Sequence, residues 1–287
     1  MMEKTVLHCN HISSFRACPK SYWFRFRSNA KEHFITVEKH LGISVKTALM
    51  AYFRAQDNGN DYRLEKLLKT FEQAWLSSPK LPLKIVKKDF KLKDYYRAGR
   101  AMLKCFFIRR NRDSDQADKT LGLKSNFSLP IETKSGKTIA LSGFVDRISK
   151  TKEGLLRVTQ FTTGRGPYAP QNKFELLAGA VWSRIKLGEP EIEIAVDSLR
   201  SEKVYVSYLD KEYLQQLSQK LKKTAETVSH SSFPAHPSPL CSWCGFSPVC
   251  EASRTCPKCG CVMIEKCGYK GLFLGCLHPA CGYTRSL

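Results

Sequence analysis

The chain has no uninterrupted apolar run approaching eighteen residues, which excludes a hydrophobic helix of membrane-spanning length. Its opening residues lack the apolar stretch of a secretory signal, so a cytoplasmic or nucleoid-associated protein is expected. Neither G-x-G-x-x-G nor G-x-x-x-x-G-K-[ST] occurs, which sets aside ATP-driven chemistry built on a phosphate loop. Acidic residues are scarce: 26 Asp and Glu stand against 47 Lys and Arg, a formal charge of +21. With 42% hydrophobic residues the chain is too apolar to be a disordered basic tail. Such a charge calls for a polyanion, most simply nucleic acid, whose condensed counterions Lys and Arg release on binding. An anionic membrane surface is the weaker partner, and no membrane association is expected.

What the chain has in excess is cysteine. Of the twelve, Cys9, Cys18 and Cys105 are scattered and the rest fall between Cys241 and Cys281. In a chain without an export signal, Cys-x-x-Cys pairs are more often metal ligands than disulfides. Cys241, Cys244 and Cys250 supply three thiolates at compact spacing, one short of a closed site, and Cys18 is the best placed fourth. Spacing leaves iron–sulfur and zinc both open, since tetrahedral sulfur serves either. Cys256, Cys259, Cys276 and Cys281 resemble a zinc ribbon around a β-like middle, with Cys261 and Cys267 as competing ligands. A module of about thirty residues buries too little to fold without its metal. Its Lys258, Lys266, Lys270 and Arg285 alternate with Tyr269, Phe273, His278 and Tyr283, which suits single-stranded nucleic acid and equally an aromatic mini-core with a solvated basic face.

Helical spacing is predicted near 13–27, over 38–55 with Leu41, Val45, Ala48, Leu49 and Phe53 as its apolar stripe, and over 61–76 and 95–108. Lys80, Lys84, Lys87, Lys88, Lys91 and Lys93, with Arg109, Arg110 and Arg112, form the densest positive field of the first half, either a solvated face or a set of phosphate contacts. After a polar loop at 113–121 the pattern turns to strands at 125–131, 141–149 and 155–164, a helix near 172–185, strands at 191–196 and 203–208, and a final helix over 211–227. This order implies an α/β core with a mixed sheet flanked by helices. The middle hairpin sets Asp146 opposite Gln160, with Thr162 on the strand face of Gln160.

Several of these residues carry a family resemblance. Cys18 with Ser13-Ser14-Phe15 and the aromatics after it, Gly42 and Thr47-Ala48-Leu49, Gly143-Phe-Val-Asp-Arg147, and Cys241, Cys244 and Cys250 resemble RecB-type exonucleases of the PD-(D/E)XK superfamily. The likeness is to the iron–sulfur members of CRISPR adaptation and of AddB-type helicase–nucleases. The tail from Cys256, with its closing Cys281-Gly-Tyr-Thr-Arg285, resembles the C-terminal zinc finger of type IA topoisomerases. The resemblance implies a restriction-endonuclease-like core with a helical N-terminal region. Residues 1–252 would form the nuclease-like domain, with a helical insertion at about 30–112, and 253–287 the ribbon. It further implies a [4Fe–4S] cluster on Cys18, Cys241, Cys244 and Cys250, Zn2+ on Cys256, Cys259, Cys276 and Cys281, and a core that engages DNA.

The catalytic positions do not carry over. The family's metal-binding His falls on Lys46, the first acid stays as Asp146, the second falls on Gln160 and the lysine on Thr162. The Gln and Tyr of the following helix fall near Glu175, or Gln171, and Gly179. Mg2+ or Mn2+ is therefore not expected, because one acid and an amide neutralise a hard cation poorly. The expectation is a DNA-binding protein without a complete catalytic site, an accessory subunit in DNA processing, recombination, defence or a mobile element, with a helicase or recombinase as partner. Candidate contacts are Lys46, Lys84, Lys87, Lys88, Arg109, Arg110, Arg112, Arg147, Arg165, Lys258, Lys270 and Arg285. Two alternatives stay open: a metal-dependent exonuclease rescued by a migrated carboxylate such as Glu132 or Glu175, and a protein-binding scaffold. RNA in place of DNA also stays open.

Overall fold

A computed structural model of the chain describes residues 5–112, 118–133, 136–166, 168–189, 191–252, 254–269 and 271–286. In chain order the elements are β1 (Thr5–His8), α1 (Ile12–Ala17), α2 (Pro19–Phe26), β2 (Ile35–Thr36), α3 (Val37–Asp57), α4 (Leu64–Leu76), β3 (Leu83–Lys84) and α5 (Leu92–Arg112). They continue with β4 (Lys119–Glu132), β5 (Thr138–Lys150), β6 (Leu156–Thr162), α6 (Phe174–Leu187), β7 (Ile192–Ser198), β8 (Lys203–Leu209) and α7 (Lys211–Ser229). Four short strands close the chain: β9 (Arg254–Thr255), β10 (Val262–Gly268), β11 (Gly271–Cys276) and β12 (Thr284–Ser286).

These elements fall into two compact units. The sheet unit takes in the chain to Ser13, Glu38–Ser78 and Lys91–His230; the cysteine unit takes in Ser14–Val37, Pro79–Phe90 and the chain from Ser231. The units interleave along the chain, whereas the division expected from sequence places one boundary near 252.

The sheet unit is a mixed sheet flanked by helices. Its strands run β1-β5-β6-β7-β8, with β4 along β5. β4 with β5, β5 with β6, and β7 with β8 are antiparallel; β1 with β5 and β6 with β7 are parallel. A parallel pair needs a crossover, and α6 supplies the one between β6 and β7. The helix stops at Gly188, whose positive φ of 74° lets its N–H return to the Arg184 carbonyl. The expected α3 stripe is fully inward: Leu41, Val45, Ala48, Leu49 and Phe53 are all buried, and Phe53 stacks on Phe161 of β6. α6 packs so close to β5 that a Cβ at Gly179 would lie 2.5 Å from Val145 Cγ1. α7 starts where the Asp210 carboxylate accepts the Tyr213 N–H, and it buries Leu214, Leu217 and Leu221.

Three details depart from the sequence reading. β4 begins at Lys119, inside the stretch expected to be a polar loop, because pairing to β5 supplies the order that its composition does not. The helix expected across 13–27 is broken into α1 and α2 at Cys18, which is extended (φ −157°) ahead of Pro19. β1, too short to show a periodicity, joins the sheet beside β5.

In the cysteine unit, Ile35–Thr36 pairs with Leu83–Lys84 in a minimal parallel ladder. β9 to β12 form a separate antiparallel sheet in the order β12-β11-β10-β9.

Candidate active site and metal centres

The sheet has a split at β5. β4 follows one edge of β5 from Thr138 to Lys150, so β1 and β6 must share the other. On that edge β1 pairs as far as Ser142 and β6 begins at Arg147, leaving Gly143–Asp146 between them. Two side chains take the place of the missing strand. The Asn10 carboxamide accepts the Phe144 N–H at 2.8 Å and donates to its carbonyl at 2.9 Å, as a strand peptide would. Gly143 accommodates this approach, since a Cβ there would lie 2.8 Å from Asn10 Oδ1 and 2.7 Å from the Phe127 ring. Farther along, Asp146 Oδ2 accepts the Phe161 N–H of β6 at 2.8 Å. Asn10 escaped the sequence reading because nothing local marks it.

Asp146 is 3% exposed, and the same Oδ2 receives Lys46 Nζ of α3 at 2.7 Å. The register of the hairpin, continued one step beyond Arg147↔Thr159, sets Asp146 opposite Gln160. Gln160 Oε1 is buried with no hydrogen-bond partner among the described residues. Thr162 Oγ1 accepts the Gly164 N–H at 3.2 Å and sits 3.5 Å from the Tyr168 hydroxyl. Lys46, Asp146 and Phe161 are thus brought into direct contact, and the donor set does not fit a divalent cation. An ammonium occupies one face of the Asp146 carboxylate, and Gln160 and Thr162 beside it are neutral.

Of the proposed replacement acids, Glu132 does not join this group. Glu132 pairs with Thr138 at the far end of β5, eight residues from Asp146 or about 26 Å along a strand. Glu175 is buried on α6 near Cys9, whose thiol is pushed well above its ordinary value by burial and then by the Glu175 charge. Among the described residues Asp146 belongs to no group of three or more converging His, Cys, Asp or Glu ligands. Gln171 accepts from the Ser207 hydroxyl.

That kind of convergence occurs in the cysteine unit. The sulfurs of Cys256, Cys259, Cys276 and Cys281 all lie within 4.8 Å of one another, which gives a set that could hold a metal. Cys256 and Cys281 sulfurs are 3.8 Å apart, close to the about 3.8 Å that tetrahedral bonds of about 2.3 Å to one zinc require. The hairpin of β10 and β11 returns Cys276 to this group, while Cys267 is exposed on β10. Cys261 stays partly buried beside Cys259.

Cys18, Cys241, Cys244 and Cys250 lie in the same unit within range of one another's charge, without the close convergence of the Cys256 set. Burial and the charges of these neighbours raise the Cys244 thiol, and burial with Cys18 and Cys241 raises that of Cys250. Two backbone amides face the sulfurs, His236 N–H on Cys18 and Ser238 N–H on Cys241, each at 3.4 Å. An aromatic set holds the segments together: Phe233 stacks on Tyr22 and Phe246 on Phe24. Of the aromatics after Cys18, Tyr22 and Phe24 therefore serve packing, while Trp23 and Phe26 are partly exposed.

The basic candidates divide by environment. Arg147 is 4% exposed, over the Phe53 ring, and Arg109 is bound to both Asp197 carboxylate oxygens at 2.7 and 2.6 Å. Lys84 lies over Phe34 and burial lowers its pKa. Lys87, Lys88, Arg112, Arg165, Lys258 and Arg285 are exposed. Lys270 lies outside the described residues.

A mixed sheet that splits beside a buried acid, with helices packed on its strands, defines a nuclease-type α/β protein whose acid is neutralised by lysine. The PD-(D/E)XK nuclease superfamily model matches residues 9–251, and the chain belongs to that superfamily. Among solved structures it is similar to "Crystal structure of SSO0001", at 14% identity and a TM-score of 0.32, over 84% of this chain and 96% of that one. No curated protein matches the sequence.

Proposed function

We propose that this protein binds DNA through a nuclease-derived body that no longer cuts, and acts as an accessory subunit in DNA processing. The observation that carries the reading is the 2.7 Å contact between Lys46 Nζ and Asp146 Oδ2. The superfamily's hydrolysis needs a metal held by several acids to activate water and stabilise the charged transition state. Here the ammonium already satisfies the one acid, and Gln160 and Thr162 stand where the second acid and the lysine belong. Binding outlasts the loss of cutting because phosphate contacts are spread over many residues, and the +21 charge supplies them.

In the same reading the Cys256 set holds Zn2+ and folds the ribbon around it. The Cys18 set holds a [4Fe–4S] cluster, whose width keeps its four cysteines farther apart than a single ion does. The second reading, a protein-binding scaffold, gains from the ribbon alone, since the fold does not decide its ligand.

The test is a nuclease and binding assay on anaerobically purified full-length protein with single-stranded and end-bearing DNA. The expected result is binding that weakens steeply with salt and no degradation in Mg2+ or Mn2+. Degradation that Asp146→Ala abolishes would overturn the inactive assignment, and salt-insensitive or absent binding would overturn the DNA assignment.

A further inference from the structure

Next to the Lys46–Asp146 pair, the sheet unit has a half-open cavity of about 270 Å³ bounded by α3, α5 and strands β5 to β8. Four guanidinium groups line it, Arg109, Arg110, Arg147 and Arg157, against two carboxylates, Asp118 and Asp197. Arg109 is saturated by Asp197. Arg157 is held by Asp118 at 2.9 Å and by Glu193 of β7. That leaves Arg147 only the shared Asp118, at 3.6 Å, while its remaining donors go to neutral oxygens, Thr120 Oγ1 at 3.0 Å and the Asp118 carbonyl at 2.7 Å. Arg110 forms no ion pair among the described residues; it lies over the Phe53 ring at 5.6 Å, beside the Tyr52 hydroxyl.

Arg147 and Arg110 therefore share one wall with too little negative charge between them. Asp57 acts on Arg147, and Arg110 acts on Asp197, only from beyond ion-pair distance. Burial and the Arg110 charge push the Arg147 guanidinium down to about 10. Phe53, Phe106 and Phe161 close the cavity behind this wall: each is at most 3% exposed, Phe53 and Phe161 stack at 5.7 Å and Phe106 stands edge-on to both. Guanidinium forks match phosphate oxygens, and a doubly charged phosphate takes two forks where a carboxylate takes one. The volume lies just below the usual range of small-molecule sites, about 300–1,000 Å³, which suits a phosphate group and no stretch of strand.

We propose that this cavity binds the phosphate group of a phosphate monoester, with Arg110 and Arg147 on its oxygens. The ligand is either a free mononucleotide or the phosphorylated end of a strand, and the site does not depend on the DNA-binding reading.

Calorimetric titration of the full-length protein with AMP, adenosine, and an oligonucleotide bearing either a 5′-phosphate or a 5′-hydroxyl tests it. AMP should bind saturably and adenosine should not, and Arg110→Gln should weaken AMP at least tenfold with unchanged circular dichroism. A 5′-phosphate preference that Arg110→Gln removes assigns the strand end, and its absence with AMP still bound assigns the free nucleotide. In the wild-type protein, AMP should also slow phenylglyoxal modification of Arg110, mapped by mass spectrometry. Failure of AMP to bind, equal binding by the variant, or unslowed modification would each overturn the proposal.

Discussion

Lys46 and Asp146 stand a hundred residues apart and meet at 2.7 Å. The Asp146 carboxylate serves two partners, the ammonium and the Phe161 amide, so its loss leaves a charge and a backbone donor unmet together. Breaking such a mostly buried pair costs about 2–4 kcal/mol once the half-solvated lysine is discounted. Asp146→Ala should lower the free energy of unfolding in urea by that amount, through a lower midpoint with an unchanged slope. Asp146→Asn should lower it less, because an amide oxygen still accepts from Phe161. A loss within 0.5 kcal/mol for Asp146→Ala would mean that the ion pair contributes no stability. The aspartate was legible in Gly143-Phe-Val-Asp-Arg147, and the mismatch at Lys46 was legible only through the family likeness. The likeness also set Lys46 in the metal site beside Asp146; the direct bond between them was not legible, since no local pattern fixes the distance from a helix face to a strand so far away in the chain.

Among the elements, the strands from β4 to β8 and the helices α3 to α7 were readable because alternation and helical spacing are properties of neighbouring residues. β1 was not, with four residues and no period of its own, and the split in β5 that it helps to create was hidden with it. Asn10 closes that split by standing in for a strand peptide. Asn10→Leu should leave the Phe144 N–H and carbonyl unpaired, at a cost of about 2–3 kcal/mol. The Phe144 amide should then exchange with deuterium much faster, while amides paired between β6 and β7 keep their protection. Unchanged exchange at Phe144 would show that water replaces the carboxamide without loss.

At the scale of the molecule, the cysteine unit is assembled from three separate stretches of chain. Its closing sheet has a small core, Met263 and Leu274 packed with Cys256, Cys276 and Cys281. That is too little apolar area to hold a fold of this length unaided. Removing the proposed zinc with a strong chelator should abolish exchange protection over β10 and β11, and β5 to β7 of the sheet unit should be unaffected. Persistent protection in metal-free protein would overturn the zinc-dependent account of the ribbon.

The amino-acid sequence by itself determined the polycationic character, the order of the main helices and strands, and the cysteines with ligand spacing. Each of these is set by composition or by residues a few positions apart. Only the tertiary structure decided that Lys46 bonds Asp146 directly, that Asn10 bridges the split strand, and that Arg110 and Arg147 share a cavity wall. Those outcomes turn on distances of a few ångströms between segments far apart in the chain, and such distances are set by how the helices pack on the sheet.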